Sequence, residues 1–392
     1  MTTIKYLSVP FSILLSAGCG SQPYPVHLAY PLRSDPIVDK LPATPPDGPP
    51  TAGKLDEFVA QIGERGGKVY HPANIPSEQR AQLQRTLDDI FGSPAAPTIR
   101  CDDDASRDSV GQLQLPPEKL AVGSKLYKMH CLQCHGLTGD GRGPTGQWVY
   151  PFPRDFRQGI FKYVSSAGSA ARKPTRADLH RNVTNGVERT SMPSFSLLSE
   201  EERGQIVAYT IHLSIRGEVE YRVMRAILAD GDDREDDMAL EVRSRLQTVL
   251  RQWVEADRSE ISPLKRPTPE TPEERLSPAH QESVRRGFQL FRDQGLGCIS
   301  CHEDYGRRAK YLYDSWGGAV RPADLTEGTY RGGKTPLDLF HRIRGGIGAA
   351  GMPAATSLSE EEVWDLVHFV QALPYQRLLP EDIRGLVYPA SR

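Results

Sequence analysis

Cys131-Leu132-Gln133-Cys134-His135 is a Cys-x-x-Cys-His sequence, and Cys298-Ile299-Ser300-Cys301-His302 repeats it. The spacing has a chemical reason. Each thiol can add across one vinyl group of a porphyrin, and two intervening residues let one turn of helix meet both vinyls on one edge of the ring. The next residue then lies beneath the iron, where its imidazole can bind. This is the attachment signature of c-type haem. With 6 Cys and 10 His in 392 residues, chance supplies on the order of 0.002 copies per chain, so two copies are not coincidence. A zinc ribbon needs its two pairs about 15–20 residues apart, whereas Cys131 and Cys298 are 167 apart. A thioredoxin-like redox motif needs a flanking βαβ pattern, which is not seen, and leaves both histidines unexplained.

Working outward, the surroundings of the two motifs repeat as well. Met192-Pro193 lies 57 residues after His135, and Met352-Pro353 lies 50 after His302. Seven residues past each Met stands Ser-Glu-Glu-Glu, at Ser199 and Ser359. Ser followed three residues later by Glu (Glu202, Glu362) predicts a capping box that starts a helix. An aromatic sits seventeen residues past each Met, Tyr209 and Phe369. Helices carrying Leu126 and Tyr127, and Leu290 and Phe291, precede the motifs. A thioether is a soft ligand that favours ferrous iron, and proline stiffens the loop that presents it, so Met192 and Met352 are read as sixth ligands. A gap-filling Met in a core is the alternative. His180 and His341, twelve and eleven residues before each Met, are rival ligands that would give bis-His haems of lower potential. They are expected instead on a helix preceding the Met loop.

This order of elements resembles the class I cytochrome c fold, twice over. The resemblance implies an all-α chain: two tandem class I cytochrome c domains joined by a helical linker, behind a Pro-rich N-terminal tether. It implies two covalently bound haems c, held by Cys131, Cys134, His135 and Met192 and by Cys298, Cys301, His302 and Met352. It pairs Tyr127 with Tyr209 and Phe291 with Phe369 across the first and last helices. A proline carbonyl steadies the ligand His in that family, and Pro153 and Pro322 hold matching places. Trp148 and Arg154 are candidates for haem propionate contacts, with a surface role equally open. The first copy has Gly139-Asp140-Gly141-Arg142-Gly143-Pro144 after Cys-His-Gly, like many bacterial members. The second departs from it, with Glu303 where Gly136 stands and three extra residues before its first Cys. The resemblance covers about half of the chain, and leaves out residues 20–115 and 217–276.

The chain divides by composition into 1–19, a signal peptide with a lipobox-like end; 20–115, a Pro-rich tether and short helices; 116–216, the first cytochrome domain; 217–276, a polar helical linker; and 277–392, the second domain and a tail. Helices are expected over 55–62 and 77–91, the latter with Leu83, Leu87, Ile90 and Phe91 on one face, Ser77 at its start and Gly92 at its end. Another carries Val242, Leu246, Val249, Leu250 and Trp253. The acidic run Asp230 to Asp237 does not match a calcium loop and reads as solvated.

The apolar run Tyr6–Leu15 before Ser16-Ala17-Gly18-Cys19 reads as an export signal, with Cys19 as the lipid attachment point. Ser16 stands where such boxes carry Leu, so ordinary cleavage is the alternative. Cys101 reads as a lone thiol, with a Cys19–Cys101 bridge as the alternative. No stretch of about 18 apolar residues exists to span a membrane. With 48 basic and 50 acidic residues the net charge is −2, which gives no basic stripe for nucleic acid. The expected role is an exported, periplasmic, lipid-anchored carrier of electrons between redox protein partners, with no catalytic residues of its own. A dihaem peroxidase needs an open iron with acid–base groups nearby, against which two equivalent Met-Pro sites weigh. A haem-based sensor needs an effector domain, and none is visible.

Overall fold

The rings of Tyr127 and Tyr209 meet edge to face and those of Phe291 and Phe369 meet tilted, with centroids 5.3 and 5.5 Å apart. These contacts mark two helix crossings around which the computed structural model is built. It describes residues 24–168, 172–230, 237–264 and 271–389. Cys19, the signal-like segment and residues 231–236 of the acidic run lie outside the described residues.

The first part of the chain holds strand β1 (Ile37–Lys40), helix α1 (Leu55–Glu64), strand β2 (Lys68–Tyr70), helix α2 (Ser77–Phe91), the two-residue strands β3 (Gly92–Ser93) and β4 (Ala96–Pro97), and α3 (Asp104–Gln112). Domain 1 follows with α4 (Pro117–His130), the single turn α5 (Leu132–His135), α6 (Arg176–Asn185), α7 (Glu200–Asp230) and α8 (Met238–Arg258). After the turn α9 (Pro272–Arg275), domain 2 has α10 (Pro278–Arg292), the turn α11 (Cys298–Cys301), a small hairpin of β5 (Leu312–Tyr313) and β6 (Ala319–Val320), α12 (Pro336–Gly345), α13 (Glu360–Ala372) and α14 (Glu381–Val387). Among the described residues the sheets are antiparallel pairs only, and the fold is all-α with two helical domains. No helix among the described residues is long and apolar enough to cross a membrane.

Both expected capping boxes are present. Ser199 and Glu202 exchange backbone and side-chain bonds of 2.8 and 3.2 Å, and Ser359 and Glu362 do so at 2.7 and 3.2 Å. They start α7 and α13, the last helices of their repeats. Each crosses the first helix, α4 or α10, at a glycine. A Cβ on Gly123 would lie 2.2 Å from the Gln205 carbonyl oxygen, and one on Gly287 2.0 Å from that of Asp365. Both contacts are with helix backbone, which cannot rotate away. Gly287→Ala is therefore expected to cost about 1–3 kcal/mol through overpacking, read as a lowered Tm. Gly111→Ala, with open space around its Cβ in α3, is expected to be stabilising by about 0.4–1 kcal/mol.

Two expectations are corrected. Residues 24–54 are not an extended tether. Tyr30 is fully buried and its hydroxyl is 3.0 Å from that of Tyr209, and Ile37 and Val38 pair with Tyr70 and Val69. Proline removes donors, but the apolar side chains between the prolines still gain by leaving water. Residues 217–276 do not begin as a linker either, because α7 runs through position 216 without a break. Val219 and Val223 of α7 join Val242, Leu246, Val249, Leu250 and Trp253 of α8 in one core with Leu83, Leu87, Ile90 and Phe91 of α2. The apolar faces read from periodicity are thus the inner faces of a single unit that draws on residues from the expected segments 20–115, 116–216 and 217–276. Helix α2 starts on Pro76, with Ser77 as its first residue and no side-chain cap. Gly92 ends it at φ 69°.

Candidate haem sites

Each motif forms one helical turn. The amide of His135 donates to the Cys131 carbonyl at 2.9 Å, and that of His302 to Cys298, also at 2.9 Å. The hydroxyl of Tyr127 donates to the Gly136 carbonyl at 3.0 Å, tying α4 to the turn. All four cysteines carry free thiols.

The histidines are held alike. Nδ1 of His135 lies 3.2 Å from the Arg154 carbonyl oxygen, and Nδ1 of His302 lies 3.2 Å from that of Ala323. A carbonyl only accepts, so each Nδ1 carries the proton and Nε2 keeps its lone pair for a metal. Burial pushes the His135 imidazole down to about 4, against the pull of the Arg154 carbonyl. Burial also lowers His302. Neutral imidazole is the ligating form. Phe156 stacks on His135 with centroids 4.8 Å apart.

The carbonyls are those of the residues after Pro153 and Pro322, not of the prolines. Gly141, at φ 73°, approaches Pro153 so closely that a Cβ would lie 2.4 Å from the proline oxygen. The proline carbonyl faces that glycine, and the next peptide faces the imidazole. The same one-residue offset occurs in both domains.

The turn after the second motif also differs. Gly136 reverses the chain at φ 73° in domain 1, whereas in domain 2 Asp304 and Tyr305 take φ 51° and 58°. Aspartate tolerates this region, but a bulky aromatic is rarely found there. The ring of Tyr305 packs on Phe291 at 5.8 Å and on Phe369 at 6.2 Å, which compensates for the backbone cost. The three extra residues fall in the loop between Arg292 and Cys298, where α10 stops short of the motif that α4 reaches directly.

The Met-Pro loops are built from one pattern. Gly186 ends α6 at φ 71°, and Gly346 ends α12 at φ 67°. The amides of Val187 and Ile347 donate to the Met192 and Met352 carbonyls at 3.2 and 2.9 Å. Those of Phe195 and Ala355 return to the Val183 and Ile343 carbonyls, both at 3.1 Å. Each Met is half-buried between exposed neighbours. His180 and His341 do lie on the preceding helices, but not at matching positions. Counted back from Met, His180 corresponds to Phe340, and His341 to Arg181. Nε2 of His341 is 2.8 Å from the Ile261 carbonyl oxygen, and Nδ1 of His180 is 3.4 Å from the Thr184 hydroxyl. Trp148 is 64% exposed, and the Arg154 guanidinium rests on the Trp316 ring.

This donor set fits a c-type haem: two free thiols on one turn, then a neutral imidazole whose Nδ1 is already engaged. The model of the family described as "Cytochrome C oxidase, cbb3-type, subunit III" matches the chain twice, over residues 118–209 and 282–370. Each match contains one Cys-x-x-Cys-His and one Met-Pro. The chain is a c-type cytochrome with two cytochrome c domains. Its domains are of the kind that bind haem c and transfer electrons. Among solved structures the cytochrome is similar to a chain of the Kuenenia stuttgartiensis reducing HAO-like protein complex, with 24% identity, a TM-score of 0.45, and coverage of 64% of this chain and 95% of that one. The curated proteins give no match.

Sequence reasoning missed Gly123, Gly287, the Arg154 carbonyl as the acceptor from His135, and Trp316. A glycine eight residues before Cys131 and eleven before Cys298 was the available signal for the first two. Nothing local marked the others.

Proposed function

We propose that this cytochrome carries two haems c and passes electrons between protein partners, with neither iron open to substrate. Haem c, once attached, supplies a one-electron ferric/ferrous couple. Cys131 and Cys134, and Cys298 and Cys301, anchor it. His135 and His302 ligate through Nε2 while Arg154 and Ala323 fix the ring planes. Met192 and Met352 complete the coordination. The observation that carries the reading is the duplicated loop after α6 and α12, with both Met carbonyls and both return bonds matched. A site kept open for peroxide has no use for a second loop of this kind.

The N-terminal sequence supports an exported protein anchored by lipid at Cys19, facing the periplasm. Thioether attachment of haem outside the cytoplasmic membrane agrees with that placing. The partners would be a respiratory complex, an oxidase or a dehydrogenase.

Cyanide and hydrogen peroxide, added to the oxidised protein, test the closed sites. The expected result is a low-spin spectrum unchanged over minutes at millimolar ligand. Rapid binding at either iron would replace this reading with a peroxidase or sensor.

A further inference from the structure

The β5–β6 hairpin of domain 2 crosses to domain 1 and lands on the loop that holds His135. Nε1 of Trp316, at its tip, donates to the Asp155 carbonyl at 3.2 Å. The Trp316 ring lies 3.7 Å from the Arg154 guanidinium carbon. Between these two contacts sits the Arg154–Asp155 peptide, whose oxygen accepts from His135. Trp316 therefore brackets the accepting carbonyl, through the side chain on one side and the next carbonyl on the other. Lys162 pairs with Asp314 at 2.9 Å with both side chains about nine-tenths buried, and the Tyr150 hydroxyl donates to the Ala319 carbonyl at 2.8 Å.

The hairpin is itself stiff. The Asp314 carboxylate accepts from the amides of Trp316 and Gly318 at 3.1 and 2.8 Å. Gly317 turns at φ 78° beneath Ile62 and Val38 of the N-terminal unit, where a Cβ would lie 2.6 Å from Ile62 Cδ1. In the same turn, the Ser315 amide donates to the Ala349 carbonyl at 3.0 Å, three residues before Met352. One short hairpin thus touches the His135 carbonyl loop of one domain and the Met352 loop of the other.

We infer that Trp316 is a positioning residue for the domain 1 iron site, through which domain 2 sets the hydrogen bond on His135. This rests on the proposed attachment of haem at His135. A carbonyl drawing on Nδ1–H makes the imidazole a stronger donor and favours ferric iron. Loosening the bond then raises the domain 1 potential.

Spectroelectrochemical titration of the full-length holoprotein tests this, with Trp316→Phe and Trp316→Leu. The Phe variant keeps a ring under Arg154 and loses the N–H; the Leu variant loses both. Met352→His lowers the other couple and so assigns the two. At the wild-type midpoint of domain 1, the reduced-to-oxidised ratio is expected to rise several-fold in the Phe variant. It should approach tenfold in the Leu variant, about 59 mV for one electron. Faster solvent exchange of the His135 Nδ1 proton by NMR should accompany it. The domain 2 couple should stay in place. If the Leu variant does not fold, the Phe variant carries the test. Two intact haems with wild-type domain 1 potential and exchange would overturn the inference, as would an equal shift of both couples. Absence of haem at His135 in the wild type would instead refute the functional reading itself.

Discussion

Replacing Met192 with histidine is expected to lower the midpoint potential of the domain 1 haem by a few hundred millivolts, within the span of about 0.8 V that axial ligands command. The thioether is a soft ligand that favours ferrous iron, and a second imidazole removes that preference. The loop should tolerate the change, because its fixed points are backbone. Val187 holds the Met192 carbonyl, and Phe195 returns to Val183. The domain 2 couple should not move. A potentiometric titration checks this, and an unchanged domain 1 potential would show that Met192 is not a ligand.

Glu218→Ala is expected to destabilise domain 1 by about 3–5 kcal/mol, the usual cost of breaking a buried ion pair by removing one partner. Nζ of Lys173 lies 2.7 Å from Glu218, with 1% and 2% of the two side chains exposed, and it also donates to the Gly159 carbonyl at 2.8 Å. Arg222 shares the same carboxylate at 2.5 Å. Loss of Glu218 leaves Lys173 buried among polar groups without a counter-charge. Urea unfolding followed in the far ultraviolet measures the effect. Lys173→Met combined with Glu218→Leu should recover much of it, because neither fully buried position then carries a charge, and Arg222, 24% exposed, keeps its bond to Gln252 at 2.8 Å. A cost under about 0.5 kcal/mol, typical of unremarkable surface sites, would mean that residues past 216 are dispensable to domain 1.

The chemistry was more legible in the sequence than the architecture. Haem attachment constrains residue type and spacing directly, which is why Cys131, Cys134 and His135 stand out as candidates and why their repeat at Cys298, Cys301 and His302 strengthens that reading. The capping boxes at Ser199 and Ser359 are local, and local signals survive folding. The inner faces of α2 and α8 were readable from periodicity, but periodicity does not name the partner. That the two faces share one core with α7 is a tertiary fact. The segment from Tyr24 to Pro50 misled for the opposite reason. Its prolines argue against regular structure, and it has little beyond β1, yet Tyr30 is buried outside any element because a side chain can pack where the backbone does not pair. The choice of Arg154 and Ala323 over Pro153 and Pro322 depended on one close approach of Gly141, which spacing does not reveal. Trp316 lies 181 residues beyond His135 and reaches its site only because the domains dock.

Everything proposed for this cytochrome depends on covalent attachment of a haem at each Cys-x-x-Cys-His. Intact-mass measurement on protein matured in a periplasm, combined with the pyridine haemochrome spectrum, tests it most directly. The expected result is a mass increase of two haem groups that survives denaturation, with a haemochrome of the two-thioether type. One haem per chain, or haem lost on unfolding, would contradict it.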